Sequence, residues 1–180
     1  MLKLITPPTA PAVSLDDVKA FVKILDNDDD VILTAMNLSA ETHVQNICNI
    51  QLSAATYEWY ESSFLSRMPL NPVKGIEKIE YLVNGVYVLL SDTSYYVYEK
   101  NGVSYLSFSS VPSHDTHEMA IKITFIAGYD ETPAPIASYI LVKVSTLYEN
   151  RESYVIGSSL QVFNDDLVKN LLLPYKIRPI

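Results

Sequence analysis

Two histidines three residues apart, in His114-Asp115-Thr116-His117-Glu118, are by type the side chains best able to do chemistry in this sequence. Imidazoles at that spacing could share a cation, the starting point of a metal-dependent enzyme. A structural or catalytic zinc needs a third protein ligand, and none is spaced to join them, so the stretch reads as a solvated connection between strands. Asp26-Asn27-Asp28-Asp29-Asp30 resembles the opening of a calcium loop. Val31 stands where the EF-hand glycine belongs, however, and Asn37 where the bidentate glutamate belongs. These acids read instead as a turn that caps the next helix, favoured by its dipole. Asp165 and Asp166 could be paired acids, but helix capping accounts for them equally. His43 falls on an apolar helix face, with no second ligand in reach. No GxGxxG, P-loop, GxSxG or CxxC occurs. Neither a catalytic residue nor a cofactor is expected.

Composition narrows the classes further. The chain has 180 residues, 48% hydrophobic and 19% charged, which suits one domain, with or without an insertion. Its 13 Lys+Arg against 21 Asp+Glu give a net charge of -8, which argues against a partner gripped by its phosphates. The thirteen tyrosines could form a base-stacking platform only in a positive groove; they suit half-buried strands and protein interfaces better. The one cysteine, Cys48, excludes an intrachain disulfide. The apolar run at the N-terminus is too short for a signal peptide, and no stretch reads as a membrane span.

The elements that must position these residues are organised around Ile136 to Glu152. Ile136, Tyr139, Ile140, Leu141, Val142, Val144, Leu147 and Tyr148 project on several sides of a helix, which marks a core helix. It turns polar abruptly at Tyr148-Glu149-Asn150-Arg151-Glu152. Those five residues are either an exposed helix end, with Arg151 complementing the dipole, or a contact with another subunit. Upstream, Pro7, Pro8 and Pro11 make residues 1–13 an extended arm. Ser14 caps a short helix carrying Val18, Phe21, Val22 and Leu25 and ending near Ile24. A second helix runs from about Asp29 to Ile47, with Ile32, Ala35, Met36, Ser39, Ala40, His43, Val44 and Ile47 on one side.

From about Ser53 the period changes to two. Strands are expected over 56–60, 76–83, 86–90, 95–99, 103–109 and 119–127. Asn84-Gly85 and Asn101-Gly102 are two-residue hairpin turns. Residues 53–129 are thus a mostly antiparallel β-unit between helices. A last short helix follows Asn164-Asp165-Asp166 and presents Leu167, Val168, Leu171 and Leu172. Pro174 stops it, leaving Tyr175-Lys176-Ile177-Arg178-Pro179-Ile180 as an extended tail. Apolar Tyr175, Ile177 and Ile180 alternate there with basic Lys176 and Arg178, which suits docking on a partner. The fold expected is α+β: about four helices, an inserted antiparallel β-unit and extended arms at both ends.

Five stretches together resemble the head–tail connector (adaptor) family of long-tailed bacteriophages. They are ITPPTAPAVSLDDVKAFVKI, DNDDDVI, IKITFIAGY, LYENRE and DDLVKNLLLPYKI, in that order and at matching separations. The chain departs from the pattern at Cys48-Asn49-Ile50, where the family commonly has Thr-Gly-Arg, and at Phe163-Asn164, where it has Leu-Pro. The resemblance implies a structural, non-catalytic protein: one connector domain over 1–180 with a β-rich insertion over 53–129. It implies a homo-oligomeric ring, typically twelvefold, between the portal of the DNA-filled head and a tail-side stopper or tail-completion protein. DNA would pass through without specific binding, no membrane would be involved, and the place of action would be the virion neck after assembly in the host cytoplasm. The contact residues expected are Tyr148, Glu149, Asn150, Arg151 and Glu152, with Pro174, Tyr175, Lys176, Ile177 and Arg178 in the tail. The alternatives are another neck or tail-completion protein, or a metal-dependent enzyme using His114 and His117.

Overall fold

The computed structural model describes residues 1–150 and 170–177. Its chain divides into two compact units, one built from Met1–Thr9, Asn49–Asp130 and, of the described C-terminal residues, Ile177, the other from Ala10–Cys48 and the described residues between Glu131 and Lys176.

The second unit is helical. Helix α1 spans Leu15–Val22 and starts at Ser14, whose Oγ accepts the Asp17 N–H at 3.1 Å, as the capping pattern predicts. It ends sooner than expected because Lys23 adopts a left-handed conformation, with φ of 61°, that breaks the helical phase. Leu25 therefore lies off the helix and is 98% exposed instead of facing the core. Helix α2 spans Asp30–Cys48 and α3 spans Ala134–Glu149, with Pro133 and Pro135 at its start. Helix α2 packs on α3, and α1 on both. On α3, Ile136, Tyr139, Ile140 and Val144 are buried, and Ser138, Thr146 and Glu149 are its exposed positions from Ile136 onward. That is the burial a helix apolar on most sides requires.

The buried face of α2 is rotated from the one its apolar residues suggest. Leu33, Asn37, Ala40, Glu41, Val44 and Cys48 are buried, whereas Ala35 and Ser39 are exposed. The cause is polar: Asn37 Nδ2 donates to the Val13 carbonyl at 2.8 Å, and Glu41 Oε1 accepts the Ala12 and Val13 N–H groups. Two polar side chains thus face inward to satisfy backbone that carries no helix or sheet partner. Thr132 Oγ1 donates to the Ala12 carbonyl at 2.8 Å, fixing the same segment from the α3 side.

Three α-helices are found among the described residues, against about four expected; the expected last helix falls largely on residues 151–169, outside those described. Among the described residues no helix is long and apolar enough to cross a membrane.

The first unit is a sheet. Strands β1 (Leu2–Thr6), β2 (Ala55–Glu61), β3 (Val73–Val83), β4 (Val86–Leu89), β5 (Tyr95–Lys100), β6 (Val103–Phe108) and β7 (Ile121–Ala127) follow the period-two segments closely, except for β1. Five form one sheet in the order β1-β2-β7-β3-β4, and β5 and β6 pair separately. Asn84 and Asn101 have φ of 51° and 54°, each followed by a glycine at positive φ, as two-residue hairpin turns demand. The central strand β7 buries Ile121, Ile123, Thr124, Phe125 and Ala127, around which Trp59, Met68, Ile79, Leu90 and Leu106 gather.

Of residues 1–13, expected as an extended arm, Leu2–Thr6 is extended but docked as β1. Its residues pair antiparallel with β2, Lys3 opposite Glu58 and Leu4 opposite Tyr57. Prolines exclude helix, but the residues before Pro7 carry all their N–H groups and can join a ladder.

Candidate interaction surfaces

Among the described residues, each stretch that could have done chemistry is taken up by local structure. In the histidine stretch it is Asp115 that works: its carboxylate accepts the N–H groups of Asn84 at 3.0 Å and Gly85 at 2.8 Å, closing the β3–β4 turn. These two bonds, Gly85 first, hold its carboxyl below the usual range, with a smaller contribution from His114 and His117. His117 Nδ1 lies 3.0 Å from the Met119 N–H, and His114 Nδ1 lies 3.0 Å from the Asp115 carbonyl. No three His, Cys, Asp or Glu side chains come together as a metal site among the described residues.

The acidic run is likewise committed to the helical unit. Asp30 pairs with Lys19 at 2.8 Å, Lys19 also donates to Asn27 at 2.6 Å, and Asp26 accepts the Asp28 N–H at 3.3 Å. His43 stacks on Tyr139, ring centroids 6.2 Å apart at 13°. Cys48 is buried, and burial pushes its thiol up, against a smaller opposing pull from Lys176. Asp165 and Asp166 lie outside the described residues, as do Arg151, Glu152 and Arg178.

The surface residues expected at the end of α3 divide. Tyr148 is half-buried and its hydroxyl donates to the Asp29 carboxylate. Glu149 and Asn150 are exposed, and Asn150 bonds back to the Thr146 carbonyl through both its N–H and, at 3.0 Å, its side chain. Tyr148 is therefore anchored within the helical unit, and the free surface begins at Glu149. In the tail, Leu173–Tyr175 forms a single 3-10 turn, so the extended backbone expected from Tyr175 begins at Lys176, because proline suits the first turn of a helix. Leu172 is buried before it, Pro174 and Lys176 are exposed, and Tyr175 and Ile177 are half-buried.

Sequence reading missed the edges of the five-stranded sheet. Among the described residues neither β1 nor β4 has a further strand outside it, and both are apolar: Leu4 is 48% exposed, Val86 65% and Leu89 61%. The signal available was Val86-Tyr87-Val88-Leu89, a strand without a charge, but period two does not say which strand is an edge.

The motif Ala127-Gly128-Tyr129 has a physical basis here. Gly128 has φ of 130°, and a Cβ on it would stand 2.7 Å from the backbone of Ser53 and Ala54. Its N–H bonds the Pro72 carbonyl at 2.9 Å and the Tyr129 N–H bonds Leu52 at 2.7 Å, so β7 ends by threading between two other chain segments.

Solved structures share this fold over its whole length. A chain in the neck of an empty GTA particle, computed with C6 symmetry, is 13% identical with a TM-score of 0.77, covering 100% of this chain and 97% of that one. A chain from the virion of a native gene transfer agent particle is 14% identical with a TM-score of 0.78, at the same coverage. A third, from the neck of the native GTA particle with C12 symmetry, is 15% identical with a TM-score of 0.74. No curated protein matches the chain. Among the described residues, the side chains of these reactive stretches are taken up by turns, helix starts and ring stacking, and the open features of this α+β protein are apolar strand edges and helix ends. The chain belongs to the head completion protein family, whose model matches residues 12–180.

Proposed function

We propose that the protein is the structural connector of a virion neck, a ring of identical subunits that joins the portal of a DNA-filled head to the tail. The family match over residues 12–180 carries this reading. The full-length likeness in fold to chains from GTA particle necks supports it. The ring is twelvefold, sits against the portal on one side and meets a stopper or tail-completion protein on the other. It assembles in the host cytoplasm and stays in the virion.

Its role is mechanical, and it catalyses nothing. A net charge of -8 suits a passage that DNA crosses without being gripped, since binding duplex phosphates takes a basic surface. The exposed end of α3 from Glu149 and the tail from Pro174 to Arg178 are its contacts with neighbouring proteins, the tail docking on the portal-bearing head, with residues 53–129 inserted in a single connector domain. The test is complementation: DNA-filled heads lacking the protein are mixed with tails, with and without purified protein, and scored by electron microscopy and by infectious titre. Addition should restore tail joining and DNA retention. Heads that accept tails equally well without it would overturn the reading.

A further inference from the structure

We propose that the subunits of the ring join through the two open edges of the five-stranded sheet, β4 of one copy taking β1 of the next as a parallel neighbour. This rests on the ring reading above and names its subunit contact.

Hydrogen-bond phase shows which backbone groups are free. The Met1 amino group and carbonyl oxygen both bond to Tyr60, and Lys3 opposite Glu58 is in the same phase. An antiparallel ladder alternates bonded and unbonded pairs, so Leu2 and Leu4 turn their N–H and C=O away from β2. On the other edge, the Leu90 N–H bonds the Ile79 carbonyl, and Val88 opposite Tyr81 and Val86 opposite Val83 share that phase. Tyr87 and Leu89 therefore aim their backbone groups outward. Among the described residues, each edge offers an unpaired row flanked by exposed apolar side chains. Strand β4 has none of the usual protections of an edge: no charge, no proline and no bulge. Strand β1 has Lys3 and a bulge between Leu4 and Thr6, which confine pairing to its first residues.

Strand direction selects the partner. Every neighbouring pair in β1-β2-β7-β3-β4 is antiparallel, so in a sheet of five the two edges run the same way. Like edges meeting, β4 on β4 or β1 on β1, pair about a twofold axis and stop at a dimer. Joining β4 to β1 is a head-to-tail contact that repeats by rotation and closes, leaving no edge in solvent. With strands about 4.8 Å apart, twelve such sheets would close a ring about 90 Å across. Copies that each carry -8 gain from a contact made of backbone bonds and uncharged side chains.

The test uses full-length protein, alone and with portal rings added, with mass read by analytical ultracentrifugation. Leu89→Pro deletes one outward donor on β4 and no bond to β3, and Leu4→Pro does the same on β1. Leu89→Lys and Leu4→Lys block the same edges without touching the backbone. The expected result is wild-type melting with ring formation lost in each variant, and a one-to-one dimer when the β1 and β4 variants are mixed, because one intact pairing remains. Rings formed by all four variants as readily as by wild type would overturn the edge contact and leave the ring reading standing. Loss of assembly in the variants of one edge, with rings still formed by the variants of the other, would overturn the β4-to-β1 pairing. A wild-type protein that forms no ring even with portal present would overturn the ring reading, and the contact with it. If a proline variant melts early, the lysine pair decides between these outcomes.

Discussion

The Glu41 carboxylate accepts the Ala12 N–H at 2.8 Å across 29 residues of chain, fastening the segment before α1 to the buried side of α2. Burial raises the carboxyl above its usual value, and the bonds from Val13 and Ala12 only partly offset this. The folded state therefore binds this proton more readily than the unfolded state does. The contribution of Glu41 to stability is greatest at low pH and falls as pH rises from 4.5 through the raised value.

Glu41→Gln keeps the acceptor oxygen and removes the charge. Its melting temperature at pH 7 should equal or exceed wild type, and its stability should vary less with pH above 4.5. Glu41→Ala leaves two N–H groups without a partner and should cost about 1–3 kcal/mol in urea unfolding. A glutamine variant clearly less stable than wild type at pH 7 would contradict this account.

Gly128→Ala should be among the most damaging single-methyl changes in the chain. The added Cβ meets backbone at 2.7 Å, not a flexible side-chain end, and φ of 130° is itself unfavourable for alanine. A loss of at least about 2 kcal/mol is expected from denaturant unfolding. Gly75→Ala is the control, because nothing lies within 4 Å of a Cβ there.

The stretch from His114 to Glu118 should hold no metal. Zinc added in excess and then dialysed should leave no stoichiometric metal, and His114→Ala with His117→Ala should not alter what remains. Asp115 should titrate below the usual aspartate range when followed by NMR. Because that value is depressed, its support of the Asn84-Gly85 turn should persist at neutral pH and fade only as pH falls through it.

Deletion of 174–180 should preserve folding and abolish attachment to portal-bearing heads. The exposed Pro174 and Lys176 contribute little to the protein's own core, whereas Leu172, which is buried, remains. A large drop in melting temperature would assign the tail to the core, and unchanged attachment would leave it without a docking role.

Residues 53–129 expressed alone should not fold stably. The excised piece lacks β1, whose pairing with β2 covers one edge of the sheet, and loses the Tyr129–Leu52 bond at the exit of β7. A cooperative unfolding transition from the isolated segment would refute this.

Much of the fold is readable from local chemistry. Asn84-Gly85 and Asn101-Gly102 fix two hairpins because positive φ is a property of those residues themselves. Ser14 starts α1, and the breadth of apolar residues from Ile136 to Tyr148 marks α3 as the core helix, because periodicity is set by the backbone alone. Family membership was legible in the proline arm, Ala127-Gly128-Tyr129 and the stretch ending Tyr148-Glu149-Asn150, although no residue there performs a reaction.

What tertiary structure decided was neighbourhood. Period two identifies strands but not their order, so the position of β7 between β2 and β3, and of β1 and β4 at the edges, follows from long-range pairing energy. Leu2–Thr6 is a strand because β2 offers it a ladder; in isolation it has too few residues to hold that form. The rotation of α2 has the same origin. Hydrophobicity places Asn37 and Glu41 outside, but unpaired backbone at Ala12 and Val13 draws both inward, and a hydrogen bond to a segment distant in sequence leaves no trace in the helix's own pattern.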